Sequence, residues 1–152
     1  MALEMNTIGA KLKYKVEATA GSRPTSGYTA IPDIKSIPEI QLSPSQLDVT
    51  NLEDEFKRYI PGVKDPGSDF SFTANMTTAL KTAWGSCCTA AEAAYASGKS
   101  TWFEISIPNF DSFYFAGNPT ELGMNGMSVD AVFEAALHIV PNEIGGWATA
   151  ST

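Results

Sequence analysis

Histidine and cysteine are scarce in this sequence. His138 is the single histidine, and the only cysteines, Cys87 and Cys88, are adjacent. A lone histidine cannot build a multi-histidine metal centre, and neighbouring cysteines lack the C-x-x-C spacing of a metal or redox motif. A disulfide between neighbours is strained, so the pair reads as small side chains on or beside a helix. No serine sits in a G-x-S-x-G elbow. GMNGMS, residues 123–128, has glycines but neither a P-loop lysine nor a dinucleotide fingerprint. The acids Glu53 to Glu55 do not follow the EF-hand pattern. NMT, residues 75–77, is a glycosylation triplet with no meaning in a cytosolic chain. These residues predict no catalytic, cofactor-binding or metal set, and so no enzyme.

Long apolar runs are also missing. None approaches the ~20 residues that cross a bilayer, and Glu4 stands where a signal peptide would be basic. The expectation is a chain made in the cytosol with no membrane contact. Basic residues stop at Lys99, while Glu104, Asp111, Glu121, Asp130, Glu134 and Glu143 follow. A net charge of −7 argues against a surface that grips nucleic acid. The acidic final third is either a solvated face or the lining of a passage to which polyanions do not adhere.

The chain has 152 residues, 43% of them apolar, enough for one domain with a real core. No stretch repeats at a fixed period. KLKYKVEA, residues 11–18, alternates, with Leu12, Tyr14, Val16 and Ala18 inward, and predicts a half-buried strand. GSRPTSG, residues 21–27, is a loop. In YTAIPDIKSIPEI, residues 28–40, Pro32 and Pro38 argue against both a continuous helix and a central strand. Ile31, Ile34, Ile37 and Ile40 recur every third residue there, as on an extended ribbon. That ribbon either packs on its own domain or is held ready for a neighbouring subunit. QLDVTNL, residues 46–52, predicts a short strand, with Thr50 or Asn51 capping a turn of helix at 53–56. YIPGVKDPGS, residues 59–68, predicts turn and loop.

DFSFTANM, residues 69–76, alternates again. A helix over 77–97 follows from Leu80, Trp84, Cys87 or Cys88, Ala91 and Tyr95 at helical spacing, with Gly98 as its C′ residue. Gly85 weakens its first half. TWFEISIP (101–108) and SFYFAG (112–117) predict strands. SVDAVFEAALHIVP, residues 128–141, has the composition of a helix. As a strand it would turn Val129, Ala131, Phe133, Ala135, Leu137 and Ile139 inward, and strand is the preferred reading. Asp130, Glu134 and His138 would then share the opposite face. The sum is about seven strands and one helix, an α+β fold dominated by antiparallel sheet.

Three stretches carry a family resemblance. AIPDIKSIPEIQLSPSQLDVTNLEDEFKRYIPGVKDPGSDFSFTAN (30–75), AAEAAYASGKSTWFEISIPN (90–109) and FYFAGNPTELGMNGMSVDAVFEAALHIVP (113–141) together cover most of the chain. In order and combination they resemble the major tail tube proteins of tailed bacteriophages with long, non-contractile tails. The resemblance implies an antiparallel β-sandwich or barrel with one flanking helix, assembling into hexameric rings that stack into a hollow tube. One domain over 1–152 is implied, with a flexible arm at 1–10 and an inter-subunit region at 28–68. Implied partners are further copies of the chain, a tape measure protein, tail terminator and tail-tip proteins, and viral DNA that passes without sequence-specific binding. The implied location is the virion tail, after assembly in the host cytoplasm, and with GGWATAST (145–152) so short no appended surface domain is implied. Ile31, Ile34, Ile37, Ile40, Tyr59, Ile60 and Val63 become subunit-interface candidates. Glu104, Asp130, Glu134 and His138 become candidates for the lumen wall. The competing expectation is a stand-alone β-sandwich module that binds carbohydrate or a cell surface through Trp84, Trp102, Trp147 and tyrosines.

Overall fold

Nine strands and one helix follow one another in the computed structural model, which describes residues 8–65, 67 and 69–151. The chain divides into two compact units, one up to Pro38 and from Asp69 onward, the other spanning 39–68. Most of the expected arm at 1–10 lies outside the described residues.

The first unit holds an antiparallel sheet of seven strands. In chain order these are β1 (Lys11–Val16), β2 (Thr29–Ile31), β3 (Ile34–Ser36), β6 (Phe70–Asn75), β7 (Thr101–Ser106), β8 (Ser112–Pro119) and β9 (Glu134–Ala148). Across the sheet the order is β2-β1-β7-β8-β9-β6-β3. The outermost strands, β2 and β3, are therefore joined by only Pro32 and Asp33. Three residue steps reach about 10 Å at most, so the sheet must roll until its two ends almost meet. The architecture is a nearly closed antiparallel barrel with one helix. Proline fixes the first linker residue. Asp33 takes the second in the left-handed region at φ 62, which Asp tolerates better than most residues. Its carbonyl accepts from the Asn75 amide at 3.0 Å and its carboxylate from the Thr77 hydroxyl at 2.5 Å, fastening the seam to the end of β6.

The proline-spaced segment is thus two short edge strands rather than a free ribbon. Pro32 lies between the two strands and Pro38 beyond the end of β3, so neither removes a ladder donor.

Helix α1 (Thr78–Ala96) begins at Thr77, whose hydroxyl accepts from the Leu80 amide at 3.1 Å. It continues unbroken through Gly85, and Gly98 follows at φ 73 as the expected left-handed C′ residue. The buried stripe is Leu80, Trp84, Cys87, Ala91 and Ala94, set against β1, β2, β7 and β8. Tyr95, expected inward, is exposed because Ala94 takes the place facing the sheet. Phe115 stands at the centre of the core, edge-on to Phe70 at 5.2 Å and stacked with Phe103 at 5.4 Å.

The second unit is a two-stranded hairpin of β4 (Ser43–Asp48) and β5 (Tyr59–Asp65). The turn and loop expected at 59–68 is therefore largely strand. Pro44 and Pro61 fit because each strand of a two-stranded ribbon has an open edge. No helix forms at 53–56, where side chains of Asn51 and Asp54 bond the backbone instead.

β9 also departs from expectation. It starts at Glu134 rather than 128 and continues to Ala148. Ala135, Leu137 and Ile139 are buried as the alternation predicts, but Val129, Ala131 and Phe133, also expected inward, are exposed outside the strand.

Candidate assembly surfaces

The four isoleucines of the proline-spaced segment do not act alike. Ile31 is 3% exposed and lies opposite Leu12, so it belongs to the chain's own core and its assignment to a subunit interface is corrected. Ile34 lies opposite Ala74 on β3 and, with Ile37, Ile105 and Ile107, lines a cleft of about 590 Å³ within the first unit. Ile40 is half-buried. Ile31 ends β2 and Ile34 begins β3, so these two isoleucines lie on strands of their own barrel on either side of the Pro32–Asp33 seam.

The hairpin offers the opposite case. Tyr59, Ile60 and Val63 are exposed, as are Leu47, Val49, Leu52 and Phe56. Every residue of β4 is exposed, and in β5 only Gly62 is less so. The apex between them is nonetheless ordered. Arg58 N–H donates to Thr50 Oγ1 at 2.8 Å, and Arg58 Nε reaches the Asp54 carboxylate at 2.9 Å. The same carboxylate accepts from the Asn51 amide at 3.0 Å, and Asn51 Oδ1 accepts from Glu53 N–H at 2.9 Å. This arrangement presents apolar side chains from a fixed backbone.

The acidic residues expected to line a passage are placed unevenly. Glu104 is fully buried on β7, so its assignment to an open wall is corrected. Both faces of β7 are covered, since consecutive residues from Thr101 to Ile105, which alternate between the two faces, are all buried. Tyr114 OH donates to Glu104 Oε2 at 2.6 Å, Ser151 N–H to the same oxygen at 2.9 Å, and Ser151 Oγ to Oε1 at 2.8 Å. Lys13 Nζ stands 3.9 Å away. Burial alone would push the Glu104 pKa up, but the bonds from Tyr114 and Ser151 outweigh it and hold the carboxyl below its ordinary range. Glu17 is clasped similarly, accepting from Trp102 Nε1 at 2.7 Å, and its pKa is also lowered against the pull of burial.

Asp130 lies off the strand, in a left-handed conformation at φ 60, so it shares no strand face with Glu134 and His138. Those two do sit on β9, four residues apart on one strand face and both half-buried. Glu134 pairs with Lys35, and His138 Nδ1 lies 2.7 Å from the Asp69 carboxylate. Lys35 therefore balances the negative charge of Glu134 on this face.

Sequence reasoning missed one feature entirely. From Val140 to Ala148, β9 has β8 on one side and no strand on the other among the described residues, since β6 pairs only as far as Ile139. Trp147 is exposed on this stretch and packs edge-on against Phe110 and Phe113, each at 5.4 Å. The glycine pair Gly145–Gly146 hid the strand, because glycine is depleted in strand interiors. Here Gly145 is required: a Cβ would lie 2.9 Å from the Trp102 ring, and Gly146 has φ 74 beside a bulge. Trp84 and Trp102 are buried, so the three tryptophans do not make one stacking platform. Cys87 and Cys88 are free thiols on α1, and burial pushes the Cys88 thiol up to about 11. Among the described residues no cluster of three or more His, Cys, Asp or Glu could hold a metal, and no helix is long and apolar enough to cross a membrane.

Neither a family model nor a curated protein matches this sequence. Solved structures do. A chain from the anti-feeding prophage baseplate, 6-fold symmetrised, superposes with a TM-score of 0.62 at 6% identity, covering 95% of each chain. A chain from the native gene transfer agent virion gives 0.59 at 15% identity, covering 96% of this chain and all of that one. A chain from the tail of the empty gene transfer agent particle, refined with C6 symmetry, gives 0.59 at 15% identity over 97% and 100%. The rolled sheet with one helix is a fold shared with proteins of tail-bearing particles.

Proposed function

We propose that this chain is the repeating subunit of a virion tail tube, forming hexameric rings that stack into a hollow conduit. The observation that carries the proposal is the hairpin, a 30-residue unit (39–68) that leaves Leu47, Leu52, Phe56, Tyr59, Ile60 and Val63 exposed on an ordered backbone. A two-stranded hairpin is marginal alone, and apolar side chains exposed on both of its faces gain stability when another chain covers them. The open edge of β9 supports the same reading, because unpaired strand edges are sites for pairing with another chain unless they are covered. The full-length likeness to chains of 6-fold and C6 assemblies favours six copies per ring.

In this role the protein is structural rather than catalytic. The tube would enclose a tape measure protein, end at terminator and tip proteins, and pass DNA during ejection. Glu134 and His138 are the lumen candidates left on one strand face. Tyr59, Ile60 and Val63 are the interface candidates that lie on exposed surface.

A second reading, a carbohydrate- or surface-binding module, draws on the exposed Phe110–Phe113–Trp147 corner. Sedimentation over a concentration series separates the two. The tube reading predicts hexamers and larger species from the wild-type chain, with Ile60→Asp and Val63→Asp shifting the population to monomer by tenfold or more. A monomer at every concentration contradicts it.

A further inference from the structure

We propose that a cleft between α1 and the segment after β8 receives the β4–β5 apex of a second copy of this chain. This rests on the tube-subunit reading and adds which two surfaces meet. The cleft has a volume of about 690 Å³, with Trp84 and Cys88 from the helix, Met76, Met124 and Phe133 lining it. Its frame is fixed, since Trp84 Nε1 donates to the Thr120 carbonyl at 2.9 Å and Cys88 Sγ to the same oxygen at 3.4 Å. Gly85 lines the helix side, and a Cβ there would meet nothing within 4 Å, so the mouth is open. Methionine on its wall lets it adapt to an incoming side chain.

The apex supplies what such a cleft takes. Leu52 and Phe56 are 106% and 80% exposed. The bonds around Asn51, Asp54 and Arg58 already order the backbone that carries them, which lowers the entropy cost of docking. The charges can also match. The cleft carries Lys81 together with Glu92 and Glu121, and the apex carries Glu53, Glu55 and Lys57 beside the paired Asp54 and Arg58. Lys81 can face the apex acids while Lys57 faces Glu92 or Glu121. Knob and cleft are different surfaces of one chain, so the contact is heterologous and repeats from copy to copy.

The test is crosslinking of Leu52→Cys to the native Cys88 with a short bismaleimide, applied to the assembled full-length chain. Cys87 is fully buried, leaving Cys88 as the accessible native thiol. Docking predicts a ladder of covalent oligomers that disappears when Cys88→Ser is added. Covalent dimers that persist without Cys88 join two apices and overturn the proposal. Assembled particles that yield no Cys88-dependent product overturn the docking while leaving the tube reading intact. A chain that never assembles overturns both. Wild-type protein gives an independent readout: alkylation of Cys88 should slow at least tenfold on assembly, and an unchanged rate overturns the docking.

Discussion

β7 and β4 are both six residues long, and they have opposite fates. In TWFEIS five of six residues are buried, including Glu104, while in SPSQLD all six are exposed. β7 lies between β1 and β8 and is buried on both of its faces, whereas β4 has only β5 beside it. The difference separates what the chain buries within itself from what it leaves exposed. Barrel residues find their contacts within the chain. The hairpin's apolar side chains do not, and that is the physical argument for assembly.

The largest effect should come from the barrel. Phe115 is fully buried at the centre of the aromatic core, so Phe115→Ala should cost about 3–5 kcal/mol. Thermal and denaturant unfolding would check it, and a loss below about 1 kcal/mol would break the contrast between the two regions. A smaller effect should come from the clasp on Glu104. Tyr114→Phe removes a hydroxyl that donates to Glu104 and lies 2.8 Å from the Thr149 carbonyl, which should cost about 1–3 kcal/mol.

The same clasp gives a pH dependence. The folded Glu104 pKa lies below its ordinary value of 4.5, so its contribution is present above that pH and is lost as pH falls through the lower folded value. The acid limb of the stability curve should therefore flatten in Glu104→Gln, as followed by unfolding from pH 7 to pH 2. An unchanged slope would remove Glu104 from the account. The smallest effect on folding should come from the hairpin. Val63 is 83% exposed, and Val63→Asp should change monomer stability by less than about 0.5 kcal/mol while strongly reducing assembly. A variant that unfolds instead would make the hairpin part of the fold rather than a docking element.

Much of the barrel was legible because its strands alternate. Leu12, Phe70, Phe72, Phe103, Ala135 and Leu137 all point where a period of two puts them. The helix was legible from the spacing of Leu80, Trp84, Cys87 and Ala91 and from Gly98. What failed depends on three-dimensional context. The barrel seam at Pro32–Asp33 requires knowing that β2 and β3 lie at opposite ends of one sheet, which no local pattern contains. Glu104 looked outward because alternation assigns a face but does not say whether that face is covered. Residues 128–133 looked like strand because Val129 and Phe133 are apolar, yet they are exposed. The interface candidates divide along the same line: Ile31 serves the core, while Tyr59, Ile60 and Val63 remain on the surface.

Electron microscopy of the concentrated, aged wild-type protein in kosmotropic salt, which favours apolar burial, tests the central claim most directly. The account predicts uniform hollow tubes built from stacked six-fold rings. Dispersed monomers at every concentration, or aggregates without a lumen, would contradict it.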